Sequence, residues 1–142
     1  MNALQRLEER ARVWSVSVEH TRESETSLLG FGRRGGQPVV LKLVKQAGDE
    51  WQSGKIGRAF GGHGLARVLE CDDGAVLFER LTPGYCLARL TLNGRDDEAI
   101  DILAETIQTM SGHATPPPDC ATVRGWAAAF DRYVARADDR IP

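Results

Sequence analysis

The sequence predicts an α+β architecture: a five-stranded antiparallel sheet with one inserted helix, followed by a helical segment. Val39-Val40-Leu41-Lys42-Leu43-Val44 is an apolar run of strand length with a single lysine in its middle. Two more apolar runs, residues 65–71 and 75–78, flank Asp72-Asp73-Gly74. That triplet is a hairpin signal, because glycine tolerates the positive φ of a tight turn. Over residues 96–110 the period becomes helical, with Ala99, Ile102, Leu103, Thr106, Ile107 and Met110 on one face.

Taken in order, Leu4, Leu7 and Ala11 recur at helical spacing among charges, which predicts a short amphipathic helix over residues 2–13. Residues 14–19 alternate with period two, a first strand with Trp14, Val16 and Val18 on one face. Residues 21–27 are polar and small, a loop, and residues 27–31 make a second strand. Gly32-Arg33-Arg34-Gly35-Gly36 is the turn into the third strand, residues 38–44. A helix follows over residues 47–60, weakened by Gly54 and Gly57 at about 1 kcal/mol each. Gly61-Gly62-His63-Gly64 ends it, and the hairpin supplies strands four and five. Beyond Gly84 the composition turns helical. Gly112-His113 and the triple proline at residues 116–118 break the 96–110 helix, and Asp119 caps a last helix carrying Val123, Trp126, Ala127, Phe130 and Val134. A lobe boundary is expected near residues 82–86, giving units 1–84 and 85–142.

At 142 residues, the chain has room for one domain, or one lobe and the start of another. Hydrophobic residues at 42% and charged residues at 27% read as soluble and globular. A net charge of -2 points to neither nucleic acid nor an anionic membrane as partner. The polar N-terminus shows no signal peptide, and no apolar run approaches a membrane span. Cys71, Cys86 and Cys120 are odd in number and share no CxxC spacing, so free thiols in a reducing cytoplasm are expected.

Gly30-Phe31-Gly32-Arg33-Arg34-Gly35 matches GxGxxG. A dinucleotide fold needs that pattern to open a helix, and a strand follows it here. As a phosphate-covering loop it also fails: seven positions from Gly35 to Lys42 cannot hold a strand, a turn and half of another strand. Fifteen positions separate Ser27 from Lys42, which suffices, so the polar stretch holding Ser24, Thr26 and Ser27 is the better phosphate cover. A plain hairpin without ligand is the alternative for both.

Lys42 is the leading site residue. From a rigid strand it would neutralise α- and β-phosphate charge. The competing account is an edge-strand lysine that resists aggregation. A buried lysine needs an acidic partner, and between Leu43 and Leu69 only Asp49 and Glu50 qualify. Glu50 has the longer reach; a solvated first-turn acid favoured by the helix dipole is an equal reading. Lys45, beyond the strand, is expected to face solvent. Glu79-Arg80-Leu81 would be a hinge whose backbone groups bind the adenine edge, with Phe78 packed behind. His63 and His113 read as structural, and His20 has no evident role.

With these residues in this order, the chain resembles the aminoglycoside/hydroxyurea antibiotic resistance kinase family, streptomycin 6-phosphotransferase-like members of the protein-kinase-like fold. The most specific stretches are Val39-Val40-Leu41-Lys42, residues 74–84, and residues 116–130 with Trp126-Ala127-Ala128-Ala129-Phe130. The resemblance implies a protein-kinase-like N-terminal lobe followed by the first helices of a C-terminal lobe. It implies ATP-dependent phosphorylation of a hydroxyl on an aminoglycoside, hydroxyurea or a similar small molecule. It assigns Lys42 to the phosphates and residues 79–81 to adenine.

One departure bears on activity. The family continues into a His-x-Asp-x-x-x-x-Asn loop and a later acidic magnesium motif, and neither occurs in residues 1–142. Catalytic residues are therefore expected to be absent from this chain, with Mg²⁺ arriving as the ATP counter-ion. The chain reads as a truncated, inactive nucleotide-binding part whose exposed C-terminal helices invite self-association. The alternative is a pseudokinase-like module that binds nucleotide or a partner without chemistry.

Overall fold

The computed structural model describes residues 2–115, 117–118, 120 and 122–138. The elements are α1 (Ala3–Val13), β1 (Ser17–Glu23), β2 (Ser27–Arg34), β3 (Gln37–Val44), α2 (Ser53–Ala59), β4 (Val68–Asp72), β5 (Ala75–Glu79), α3 (Ala88–Leu92), α4 (Asp96–His113) and α5 (Val123–Asp138). The five strands form one antiparallel sheet in the order β1-β2-β3-β5-β4, with α2 inserted after β3. The α+β architecture read from the sequence is the one observed.

A capping box starts α1: the Asn2 side chain accepts from the Gln5 N–H, and the Gln5 side chain accepts from the Asn2 N–H, both at 2.9 Å. Its Leu7 and Ala11 are buried against Leu28, Val39, Leu41, Leu43, Ala75 and Leu77, the core on one face of the sheet. Trp14 caps the helix, and Ser15 turns the chain at φ 55°, so the first strand begins at Ser17 rather than Trp14. It then runs through Thr21, Arg22 and Glu23, which composition alone gives to a loop. Backbone pairing with Gly30, Leu29 and Leu28 holds those polar residues in the ladder, and as an edge strand β1 can leave them in water. The loop shrinks to residues 24–26.

The second strand is longer than the sequence suggests. Its register with β3 continues to Arg34↔Gln37, and only Gly35 and Gly36, at φ 54° and 84°, make the turn. Gly32 lies inside β2 for a steric reason: a Cβ there would sit 2.0 Å from the Ser17 carbonyl oxygen.

Helix α2 is half the length expected. Residues 48–52 are held in turns by Trp51, whose N–H donates to the Gly48 carbonyl and whose carbonyl accepts from Gly74. The Trp51 ring packs beside Gly74 and under the Arg6 guanidinium, 5.3 Å from its centroid. Gly54 and Gly57 serve contact rather than weakness: a Cβ at Gly54 would lie 2.5 Å from Cys71 Cβ, so glycine lets α2 lie flat on β4 and β5.

Past β5, residues 80–86 are exposed, and α3 is a short helix the periodicity did not signal. Asp96, Asp97 and Glu98 open α4, matching its dipole, and the helix continues through Gly112 to His113. Ala99 is buried, but Leu103 and Ile107 of the same face are about half exposed, at 51% and 53%. In α5, Val123, Trp126, Phe130, Tyr133 and Val134 are all exposed. The Thr122 hydroxyl accepts from the Gly125 N–H at its start; Asp119, the cap expected from sequence, and Pro116 lie outside the described residues.

Candidate functional site

Alternation along β3 sends Val39, Leu41 and Leu43 into the α1 core and leaves Val40 and Lys42 on the opposite face. Cross-strand register then defines two rows on that second face. One is Leu29–Lys42–Val76; the other is His20–Phe31–Val40–Phe78. Because β3 has β2 on one side and β5 on the other, Lys42 is not an edge lysine.

The Lys42 ammonium, on a side chain 24% exposed, donates to Glu50 Oε2 at 2.5 Å. The other carboxylate oxygen accepts from the Thr26 hydroxyl at 3.1 Å. Glu50 is thus the acidic partner, standing in the turns before α2 rather than in a helical first turn. One carboxylate ties the central strand to the β1–β2 turn.

The hydrogen bond from Lys42, then its positive charge, hold the Glu50 carboxyl below its ordinary range. A lowered folded pKa means the pair stabilises the fold above the unfolded value and loses that contribution as pH falls through the folded one. Glu50→Gln is therefore expected to cost under about 1 kcal/mol at neutral pH, given the exposure of the pair. Below about pH 4.5 the difference from wild type should shrink toward zero, as read by urea midpoints across pH. A difference that grows with acid would contradict the pairing.

Ser24 and Ser27 close the same turn on each other. The Ser27 N–H donates to Ser24 Oγ at 3.1 Å, the two hydroxyls lie 2.9 Å apart, and Ser27 is buried as the first residue of β2. Lys45 does not face free solvent: its ammonium pairs with Glu23 at 2.7 Å and donates to the Ser24 carbonyl at 2.5 Å. An open cleft of about 470 Å³ lies beside the turn, lined by Glu25, Thr26 and residues 44–50.

At the other end of the face, Phe78 is half-buried and Glu79 ends β5. The Glu79 carboxylate accepts from the Arg67 N–H at 2.8 Å and from its guanidinium at 3.3 Å, and the backbone bond foremost lowers its pKa. The Glu79 N–H donates to the Arg67 carbonyl and the Arg80 N–H to Pro38. Among the described residues, the N–H of exposed Leu81 has no backbone acceptor.

Sequence reasoning missed Phe31, Val40, Arg80 and His20 as members of this face. His20 stacks on Phe31 with centroids 4.8 Å apart, and the Arg80 guanidinium lies over the same ring at 5.4 Å. Two-residue spacing from Lys42 could have found Val40. Finding Phe31 requires knowing that β2 runs past Gly32. His63 and His113 stack on each other at 4.3 Å, joining the glycine-rich loop to the end of α4.

An antiparallel sheet ordered β1-β2-β3-β5-β4, with a helix after its third strand and an acid-tethered lysine on that strand, has the architecture of a protein-kinase-like N-terminal lobe. The family model for aminoglycoside/hydroxyurea antibiotic resistance kinase matches residues 11–141, and the chain belongs to that family. It is similar to streptomycin 3''-kinase of Klebsiella pneumoniae, 34% identical over 104 residues, covering 72% of this chain and 39% of that protein. It is also similar to streptomycin 6-kinase of Streptomyces griseus, 28% identical over 138 residues, covering 77% of this chain and 44% of the relative. The chain thus spans about two fifths of the length of these curated relatives. No solved structure matches it. Among the described residues, no helix is long and apolar enough to cross a membrane.

Proposed function

We propose that residues 1–142 form the ATP-binding part of a kinase that phosphorylates a hydroxyl of a streptomycin-like aminoglycoside or of hydroxyurea. The observation that carries this reading is the Lys42–Glu50–Thr26 chain, which presents an ammonium beside the turn that would cover phosphates. Lys42 neutralises phosphate charge, and Glu50 holds it in place. Ser24, Thr26 and Ser27 shape the covering turn. With Ser27 buried and bonded to Ser24, direct contact falls to backbone N–H groups and Thr26. Phe78 packs behind the base, and the backbone from Glu79 to Leu81 reads its edge. When bound, ATP brings Mg²⁺ as counter-ion, which neutralises charge developing on the transferred phosphoryl group. In this reading residues 1–84 are the nucleotide lobe and 85–142 open a helical lobe, whose exposed α4 and α5 faces favour self-association.

A second reading is a module that binds nucleotide or a partner without chemistry. The kinase reading, and the second reading where its ligand is a nucleotide, require nucleotide binding by these residues. Saturating MgATP, at about 100 times Kd, is expected to raise Tm by roughly 5–10 °C, without phosphate transfer to streptomycin. A Tm unmoved by millimolar MgATP would sink the nucleotide site.

A further inference from the structure

Resting on the nucleotide reading above, we propose that Arg6 of α1 is a positioning residue for that site. With Trp51 it holds both ends of the segment that carries Glu50, and so sets where the Lys42 ammonium stands. Arg6 Nη1 donates to the Val44 carbonyl at 3.2 Å and to the Lys45 carbonyl at 3.3 Å, at the end of β3. The same guanidinium lies over the Trp51 ring, 5.3 Å from its centroid. One side chain thus grips the chain just before and just after residues 46–50. Glu50 is the last of these, and its carboxylate reaches Lys42 and Thr26.

Residues 46–50 take their shape from those ends. Among the described residues, none of their backbone N–H groups has a backbone acceptor, and residues 46–49 are exposed. A segment with so few bonds of its own adopts what its anchors impose. Gly74 brings the two ends together: its N–H donates to the Trp51 carbonyl at 3.0 Å, and its carbonyl accepts from the Val44 N–H at 2.8 Å. The guanidinium then fixes the Trp51 ring, which lies against Gly74 where a Cβ would meet it at 2.5 Å. Among the described residues no carboxylate pairs with Arg6, so its donors and flat face are directed at the two carbonyls and the ring. Helix α1 packs on the core face of the sheet, so Arg6 carries its docking around the end of β3 to the face that bears Lys42. The link is through position. Lys42 foremost, and Thr26 after it, lower the Glu50 carboxyl, and Arg6 is not among the groups that act on it. Arg10, one turn along α1, makes contacts of the same kinds elsewhere, pairing with Asp72 at 2.6 Å and lying 5.4 Å from the Trp14 ring centroid.

The test compares the 142-residue chain with its Arg6→Ala, Arg6→Lys and Arg10→Ala variants, each shown to be folded by its melting curve. Calorimetric titration gives affinities for MgATP and inorganic tripolyphosphate, and ¹³C NMR follows the Glu50 carboxyl across pH. Arg6→Ala is expected to weaken both ligands about 3- to 10-fold. It should also move the Glu50 midpoint up, toward the ordinary carboxylate range, as the hold of Lys42 on it loosens. Arg6→Lys keeps the charge and a donor for the carbonyls but loses the flat face over Trp51. It should move both readouts the same way by less, and it carries the test if Arg6→Ala does not fold. Arg10→Ala takes comparable contacts from α1 without touching residues 44–51, and should stay within about twofold of wild type for both ligands. A Glu50 midpoint unmoved in the Arg6 variants, or an equal loss of affinity in Arg10→Ala, overturns the proposal. If wild type binds neither ligand, the nucleotide reading falls, and the Glu50 midpoint alone then decides whether Arg6 positions the pair.

Discussion

Lys42→Ala is expected to abolish the ATP-dependent rise in Tm while leaving the unliganded protein folded. The ammonium is held on a central strand, its neighbours Leu41 and Leu43 buried on the other face, and its position set by Glu50. Removing it deletes the positive charge that the central strand carries beside the β1–β2 turn, so a polyphosphate bound there would lose an electrostatic partner. The cost to folding is small for a physical reason. Glu50, with a side chain 42% exposed, keeps the Thr26 hydroxyl and gains water, so the loss is under about 1 kcal/mol. In a longer protein that carries these residues and a catalytic loop, kcat/KM should fall by orders of magnitude. An ATP-induced shift identical in wild type and Lys42→Ala would end the assignment of Lys42 to phosphate.

The adjacent residue should behave in the opposite way. Leu41→Ala is expected to cost about 2–5 kcal/mol, because Leu41 is fully buried among Leu7, Leu28, Val39 and Leu77, and its loss leaves a cavity that the sheet cannot close. Against a total stability of about 5–15 kcal/mol, that lowers Tm by at least about 5 °C and moves the urea midpoint down. The folded fraction should still respond to ATP, since no nucleotide-facing atom has changed. A Leu41→Ala protein melting within about a degree of wild type would place Leu41 outside the core. One residue apart on β3, the two substitutions separate the face that folds the lobe from the face proposed to use it.

Much of the sheet was legible without coordinates. Period-two runs, the Asp73-Gly74 turn and the lysine between leucines are local signals, and they suffice for strand number, hairpin and the placing of Lys42 on a strand. The errors were at boundaries. Polar Thr21, Arg22 and Glu23 read as loop, because composition cannot register that an edge strand accepts polar residues on both faces. Residues 47–52 read as helix, because the contacts that hold Trp51 in a turn come from Gly74 and Arg6, far away in sequence. The apolar stripes of α4 and α5 were found, but α3 was not.

For the site, sequence by itself determined that an apolar strand carries Lys42, that Asp49 and Glu50 alone could follow it as partner, and that a strand leads into residues 79–81. Those conclusions rest on alternation and on counting along the chain, which need no knowledge of what packs against what. Only the tertiary structure decided for Glu50, joined Thr26 to it, turned Lys45 back onto Glu23, and set Phe31, Val40 and Arg80 in one place. Each of these depends on strand register and on which turns close, and register comes from pairing between residues distant in sequence. A shift of one residue would have put Phe31 and Lys42 on opposite faces of the sheet.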